Sequence, residues 1–156
     1  MSEPLYFPLF VDLSEKNVVV AGAGKIASRR IASLLDFAGT IRVIAKDVAP
    51  EVFDLAAAHS NLVIEERAFA PEDLDSADIV LAVTNDKELN VKIGQWCRER
   101  HIPVNVSHEK SLCDFYFPGI VRKDNTVIGV TASGKDHSGA RKMTEKIRAW
   151  MASADE

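Results

Sequence analysis

Short apolar runs alternate with amphipathic stretches through the first two thirds of the chain. The apolar runs are rich in Val and Ile, a pattern typical of buried strands. The stretches between them repeat apolar residues at helical spacing. This order predicts an α/β fold, a Rossmann-like parallel sheet with helices on both faces. The predicted strands cover 17–21, 41–45, 62–65, 79–83 and 104–106; the predicted helices cover 24–37, 50–58 and 87–100, with a turn or short helix at 71–74.

The last third of the chain has a different pattern. Two β-rich runs, 115–121 and 127–131, flank the turn-like segment 122–126 and predict a β-hairpin. An amphipathic helix is predicted to follow at about 139–151. Because a hairpin and one helix make a weak core by themselves, we expect this part to pack on a second copy of the chain in a homodimer. The predicted division is a Rossmann-like domain at 1–113 and a dimerisation segment at 114–156.

A glycine motif joins the first predicted strand to the first predicted helix. Its spacing, G-x-G-x-x-A, matches the dinucleotide-binding fingerprint. Gly22 permits a tight turn, Gly24 lets the backbone approach a pyrophosphate, and Ala27 keeps the helix close to the sheet. The helix N-terminus offers N–H groups and a positive dipole end to the phosphates. The motif therefore predicts a nucleotide cofactor held by Gly22, Ala23, Gly24, Lys25, Ile26 and Ala27.

Composition narrows the class of protein. The length of 156 residues fits one domain with a short appendage, and 47% apolar residues suffice for a core. The net charge of −4 argues against nucleic-acid binding. Residues 118–150 nevertheless carry seven Lys or Arg against three acidic residues, a net charge of +4. This asymmetry favours an anionic ligand or a complementary partner chain, and a solvated helix face is the alternative.

The sequence also bears on the cellular compartment. The N-terminal residues have no basic segment followed by an apolar stretch, and no apolar run approaches the ~20 residues of a membrane span. The two cysteines, Cys97 and Cys113, form neither a C-x-x-C pair nor a disulfide framework. We therefore expect a cytoplasmic protein that does not interact with a membrane.

Ligands of such sheets bind at the carboxyl ends of the strands. After the second strand, Lys46 could meet a ribose 2′-phosphate or Asp47 could reach the ribose, so the choice between NAD and NADP stays open; Lys46 is equally well a surface lysine. After the fourth strand, Thr84 and Asn85 could contact the nicotinamide side of the cofactor. Asn85 or Asp86 also suits a helix cap, and the two roles are compatible.

The four histidines differ in position. None has the i, i+4 spacing of a helical metal pair, so no metal site is predicted. His59 and His101 lie near predicted helix ends, where solvent-facing residues are common. His108 follows the fifth strand at the expected active edge, and a histidine there could act as a base near neutral pH.

Several segments together resemble the precorrin-2 dehydrogenase family, the NAD-binding module of siroheme synthases. The resemblance covers nearly the whole chain in the family's order. Residues 22–30 resemble the stretch G-G-G-x-V-A-x-R-K, residues 82–90 the stretch A-A-T-x-D-x-x-x-N, and residues 112–118 the stretch C-D-F-x-F-P after an L. Residues 6–13 resemble the family's lead-in to the first strand, and 104–106 resemble the start of its V-N-V-V-D run.

The resemblance implies NAD-dependent oxidation of precorrin-2 to sirohydrochlorin by a homodimer. Some members also insert Fe²⁺ to give siroheme. The substrate is a tetrapyrrole with many carboxylates, so the resemblance gives the basic end of the chain a purpose. On this basis the nicotinamide would lie near Thr84, Asn85 and Asn105. Expected site residues are then His108 and Asn105 in catalysis, and Asp114, Lys135 and Arg141 in substrate binding.

The chain departs from the family pattern at informative positions. His108 stands where the family has the aspartate linked to dehydrogenation and metal insertion, so His108 becomes the expected base and metal insertion is expected to be weak or absent. The S-T-G-G-K-S-P run falls at 131–137, which keeps Gly134 and Lys135. The family's C-terminal helical domain is expected to be absent or reduced. Two alternatives remain: a bifunctional dehydrogenase and ferrochelatase, or a non-catalytic module that binds NAD and a tetrapyrrole.

Overall fold

The computed structural model describes residues 4–154, which form two compact units. One unit, Val11–Phe115, holds a five-stranded parallel sheet in the order β3-β2-β1-β4-β5. The other unit contains residues 4–10 and 116–154 and holds a two-stranded antiparallel sheet and one helix. The elements are β1 Asn17–Ala21, α1 Lys25–Leu34, β2 Thr40–Ala45, α2 Pro50–Ala58, β3 Leu62–Glu66, β4 Ile79–Ala82, α3 Lys87–Glu99, β5 Val104–Val106, β6 Gly119–Lys123, β7 Thr126–Val130 and α4 His137–Ser153, with 3₁₀ turns at Pro71–Leu74 and Lys110–Leu112.

The strand β1 is the centre of the larger unit. Its residues Val18, Val19 and Val20 are fully buried, and it pairs with β2 on one side and β4 on the other. The chain runs from β1 through β2 to β3 and then crosses back to β4 on the other side of β1. Strand order therefore reverses between β1 and β4, and a ligand crevice is expected at the carboxyl ends of these two strands. The predicted fold class is confirmed.

Two helix ends show how local bonding fixes the boundaries. The helix α1 ends at Leu34, before the predicted Phe37, because the Phe37 N–H bonds to the Leu34 carbonyl and closes a tighter turn. At the start of α3, Asp86 Oδ1 accepts from the Leu89 N–H at 3.1 Å. Asp86 is therefore the cap of α3, which decides between the two candidates that the sequence offered.

A four-residue ionic network joins β2, β3 and the connection between β3 and β4. Arg42 and Arg67 both bind Glu65, at 2.8 and 2.5 Å, and both reach Asp73, at 3.4 and 2.6 Å. Asp73 is buried, and its Oδ2 also accepts from the Ala70 N–H. Hydrogen bonds from Arg67 lower the pKa of Asp73, and bonds from Arg42 and Arg67 lower the pKa of Glu65. The network ties the short 3₁₀ connection to the sheet.

The hairpin of the smaller unit turns at Asp124, whose φ is +52°. Its first strand begins at Gly119, whereas the sequence predicted a start at 115. Residue 115 is instead held by β5 in the larger unit, as described below, and Pro118 has no N–H to donate. The helix α4 begins at His137, earlier than predicted, because Asp136 caps it by accepting from the Gly139 N–H at 2.7 Å. Lys123 Nζ donates to the Met151 carbonyl at 2.8 Å, which fixes α4 against the hairpin.

Candidate functional site

The loop between β1 and α1 is tightly fitted around Gly22. Its φ is +109°, and a Cβ added there would lie 2.6 Å from the Val83 carbonyl oxygen at the end of β4. The Gly22 N–H donates to the Ile44 carbonyl, and the Ala23 carbonyl accepts from the Ala49 N–H. Gly22 thus permits the close packing of this loop against the end of β4, as well as an unusual backbone conformation.

Gly24, unlike Gly22, is not closely packed against its neighbours. It has an ordinary extended conformation, and a Cβ added to it would meet nothing within 4 Å. Gly24 is the N-cap of α1, it has no side chain to cap the helix, and the first turn of α1 carries no acidic residue. The first helical bond runs from the Ser28 N–H to the Gly24 carbonyl, so the N–H groups at 25–27 precede the helical ladder.

These features fit the pyrophosphate of a dinucleotide. Open space above Gly24 gives a phosphate access to the backbone, and the uncapped N–H groups and helix dipole favour negative charge there. Ala27 is fully buried, as its predicted role in helix packing requires, whereas Lys25 and Ile26 are exposed. Lys46 and Asp47 are both exposed after β2.

Asn90 fastens the loop that follows β4. Its Oδ1 accepts from the Thr84 N–H at 3.0 Å and from Thr84 Oγ1 at 2.6 Å, and its Nδ2 donates to the Thr84 carbonyl at 2.9 Å. Thr84 Oγ1 also approaches the Asp86 carbonyl at 2.9 Å. Asn90 is 1% exposed, so a buried amide on α3 fixes the position of Thr84. Asn85 is exposed beside it.

His108 lies next to this fastened loop. It is exposed, and its Nδ1 is 3.4 Å from Asn90 Nδ2. Beside it runs a shallow, open groove of about 410 Å³ along residues 87–95 of α3. The groove is lined by Lys87, Glu88, Val91, Lys92, Gln95 and His108. The histidine that the sequence singled out therefore borders a surface recess close to the predicted nicotinamide contacts.

Asn105 is buried in the middle of β5 and bonded at both ends of its amide. Its Oδ1 accepts from Arg30 Nη1 at 2.7 Å, and its Nδ2 donates to the Phe115 carbonyl at 2.8 Å. Burial lowers the pKa of the Arg30 guanidinium, and Cys113 opposes that shift. In this arrangement Asn105 connects α1, β5 and the segment after the Lys110–Leu112 turn. Its predicted catalytic role stays a prediction.

The Cys113–Asp114 segment is bound to β5 in part through its side chains. Asp114 Oδ2 accepts from the Val104 N–H at 3.0 Å, and the Asp114 N–H returns a bond to the Val104 carbonyl. Cys113 Sγ accepts from the Val106 N–H and donates to the Val106 carbonyl, both at 3.2 Å. Burial raises the pKa of the Cys113 thiol. These bonds give both side chains a structural role at β5. Substrate binding by Asp114 stays a prediction.

The predicted site residues are divided between the two units. The glycine loop, Thr84, Asn105, His108 and Asp114 belong to the larger unit. Lys135 and Arg141 belong to the smaller unit, where both are exposed and Arg141 pairs with Glu145 at 3.1 Å. Arg30 and Asn90 were not predicted as site residues, although both lie within the segments that resemble the precorrin-2 dehydrogenase family. The available signal was that each is a polar residue among apolar helix positions.

The side chains and helices of residues 4–154 bear on metal ions and membranes. In this part of the chain, no three His, Cys, Asp or Glu side chains are grouped as a metal ion would require. Within the same range, no helix combines the length and hydropathy needed to cross a bilayer.

The relatives of this chain include several proteins of siroheme synthesis. The chain is 36% identical over 146 residues to a siroheme synthase of Zymomonas mobilis and 34% identical over 146 residues to one of Neisseria meningitidis, each match covering 94% of this chain. It is 35% identical over 144 residues to a probable multifunctional siroheme biosynthesis protein of Ruminiclostridium josui. The chain spans about a third of the length of these relatives, between 28% and 31%.

A solved structure supports the fold. The precorrin-2 dehydrogenase SirC superposes with a TM-score of 0.74 at 22% identity, covering 92% of this chain and 70% of that one. This match shows that the two chains share a fold. A family model described as putative NAD(P)-binding matches residues 9–119, a range that includes the glycine loop, Asn90 and His108. The chain belongs to this family of putative NAD(P)-binding domains.

Proposed function

We propose that the chain oxidises precorrin-2 to sirohydrochlorin with NAD⁺, as part of siroheme synthesis. The observation that carries the proposal is the loop from Gly22 to Ala27, which offers open backbone at Gly24 and an uncapped helix N-terminus. The similarity to siroheme synthases and to a precorrin-2 dehydrogenase supports the substrate. When bound, NAD⁺ would supply the hydride acceptor.

The chain's own residues would position the reactants. The backbone at 22–27 would hold the cofactor phosphates, and Lys46 or Asp47 would select the adenosine ribose. Thr84, which Asn90 holds in place, would border the nicotinamide together with Asn85. His108 would face the substrate, and Asn105 would keep β5 and the Cys113–Asp114 segment in register. Holding the two rings in contact accounts for much of the rate in such a reaction.

The proposed assembly is a cytoplasmic homodimer without nucleic-acid or membrane partners. In the smaller unit several large apolar side chains are exposed, among them Leu5, Phe7 and Phe10 near the start and Trp150 on α4. A second copy of the chain would cover such residues. Lys135 and Arg141 on this unit would add positive charge for the substrate carboxylates, within the segment 118–150 that carries a net charge of +4.

The proposal is tested by an anaerobic assay with enzymatically generated precorrin-2. The purified chain is supplied with NAD⁺ or with NADP⁺, and sirohydrochlorin and the reduced cofactor are followed by absorbance. The proposal predicts that sirohydrochlorin forms with NAD⁺ and that Gly24→Ala loses most of this turnover. Cofactor binding without turnover would instead support a binding module, and Fe²⁺ insertion into sirohydrochlorin without NAD⁺ would support the bifunctional alternative.

A further inference from the structure

We propose that His108 is a hydrogen-bond donor for a substrate carboxylate, fixed in that state by Asn90, in an anion-binding groove formed with Lys87 and Lys92. This inference rests on the proposed tetrapyrrole substrate and names the part of the site that takes its acidic side chains. It also changes the expectation from the sequence, in which His108 acts as a base.

The orientation of the Asn90 amide is decided by its partners. The Thr84 N–H can only donate, so the atom that it contacts is Oδ1; the Thr84 carbonyl can only accept, so the atom that contacts it is Nδ2. One hydrogen of Nδ2 is used in that bond. The other is available to His108 Nδ1, 3.4 Å away.

This contact determines the tautomer of His108. Because Asn90 Nδ2 can only donate, His108 Nδ1 must accept and carries no proton. In the neutral ring the proton then lies on Nε2, which makes Nε2 a donor. A base would need an unprotonated nitrogen directed at the substrate, and here the unprotonated nitrogen is occupied by Asn90. Asn90 is buried and held by Thr84, so it sets this preference rather than adapting to it.

The groove beside His108 has the chemistry for a carboxylate on an apolar framework. Val91 and the methylene groups of Lys87 and Lys92 supply apolar surface, and the two ammonium groups supply positive charge. Glu88 offsets one of these charges, which leaves a net charge of +1 from the three side chains. An Nε2–H donor and two lysines are suited to a carboxylate, which accepts at both oxygens.

The tautomer is tested directly by ¹⁵N NMR of the imidazole nitrogens. The His108 signals are identified by their loss in His108→Gln, which separates them from His59, His101 and His137. At about pH 8 we expect an unprotonated Nδ1 and a protonated Nε2. A proton on Nδ1, or the mixture of tautomers found in free imidazole, would overturn the assignment. Asn90→Asp, which replaces the donor by an acceptor, should move the proton to Nδ1.

The groove is tested with uroporphyrin III, a stable fluorescent tetrapyrrole with a carboxylate on every peripheral arm. Its Kd is measured by fluorescence anisotropy without NAD⁺. Lys87→Gln and Lys92→Gln should each weaken binding by about twofold to fivefold, the range for exposed charge pairs. His108→Ala should weaken binding, and His108→Gln, which keeps an N–H donor, should restore part of the loss. The matched control is Lys16→Gln, an exposed lysine at the amino end of β1, whereas His108 follows the carboxyl end of β5.

The outcomes separate this inference from the proposed function. Equal affinity in the groove variants and in Lys16→Gln, or no binding of uroporphyrin III by the wild-type chain, would overturn the groove. If binding depends on the groove but precorrin-2 is not oxidised, the proposed dehydrogenase fails and the anion site stands. If precorrin-2 is oxidised but binding of uroporphyrin III does not depend on the groove, the anion site fails and the proposed dehydrogenase stands.

Discussion

Replacing the two glycines of the β1–α1 loop by alanine should have opposite consequences for stability and for cofactor binding. In Gly22→Ala, the new methyl group meets the Val83 carbonyl oxygen at 2.6 Å and the Thr84 nitrogen at 2.9 Å, and all three nearest atoms are backbone. In Gly24→Ala, the methyl group meets nothing within 4 Å. The two substitutions add the same methyl group at positions only two residues apart in the sequence.

The magnitude for Gly22→Ala follows from two costs. The left-handed φ of +109° costs an alanine roughly 1–2 kcal/mol, and forcing a methyl group against fixed backbone costs about 1–3 kcal/mol. Unfolding free energy should therefore fall by about 2–5 kcal/mol. A loss of about 3 kcal/mol corresponds to a Tm lower by roughly 6–12 °C for a chain of this size.

Gly24→Ala should keep the fold and lose the cofactor. Its φ of −86° and ψ of −162° are ordinary for alanine, and the change at a helix cap costs about 1 kcal/mol or less. The methyl group would occupy the space proposed for the pyrophosphate, so NADH affinity should fall by about tenfold or more, equivalent to ~1.4 kcal/mol.

Thermal melts by circular dichroism and NADH titrations by fluorescence measure the two effects separately. A wild-type melting temperature for Gly22→Ala would refute the close approach of residue 22 to Val83. Wild-type affinity of Gly24→Ala for NADH would refute the role of the open space at Gly24 in binding the cofactor.

Three further predictions concern the rest of the larger unit. Asn105→Ala leaves the Arg30 guanidinium and the Phe115 carbonyl without this partner, so urea denaturation should show a loss of about 2–4 kcal/mol; an unchanged midpoint would contradict the role given to Asn105. The pKa values of Asp73 and Glu65 are lowered in the fold, so the stability that they contribute is present above their ordinary values of 3.8 and 4.5 and is lost as the pH falls below them. In thermal melts at acid pH, Asp73→Asn should lose stability less steeply than the wild type as the pH falls. An equally steep loss would argue against the ionic network. Burial raises the pKa of Cys97 to about 12 and also raises that of Cys113, so iodoacetamide at about pH 8 should label the native chain far more slowly than the unfolded chain; fast labelling of the native chain would contradict this.

The sequence predicts elements well where a local pattern decides them. The apolar runs of β1, β4 and β5, the proline at the start of α2 and the Asp86 cap are properties of neighbouring residues, and each appears at or within one residue of its predicted place. The start of β6 was misplaced because residue 115 bonds to Asn105, which lies ten positions earlier. Residue pattern alone does not reveal such a partner.

The site was predicted less completely, for a similar physical reason. The glycine spacing identifies the cofactor loop, but the different constraints on Gly22 and Gly24 depend on where the end of β4 lies. Asn90 and Arg30 acquire their roles through side-chain bonds that span several or many residues, six to Thr84 and 75 to Asn105. The chemistry of His108 depends in turn on Asn90. A polar residue on the buried face of a helix indicates a hydrogen bond to another part of the chain, but it does not identify the bonded residue.

The most direct test of the central claim is a stoichiometric anaerobic reaction of the purified chain with precorrin-2 and limiting NAD⁺. The account predicts equal amounts of NADH and sirohydrochlorin, with neither formed when NAD⁺ is omitted. Sirohydrochlorin formed without NADH, or no reaction by a chain that binds both NAD⁺ and a tetrapyrrole, would contradict it.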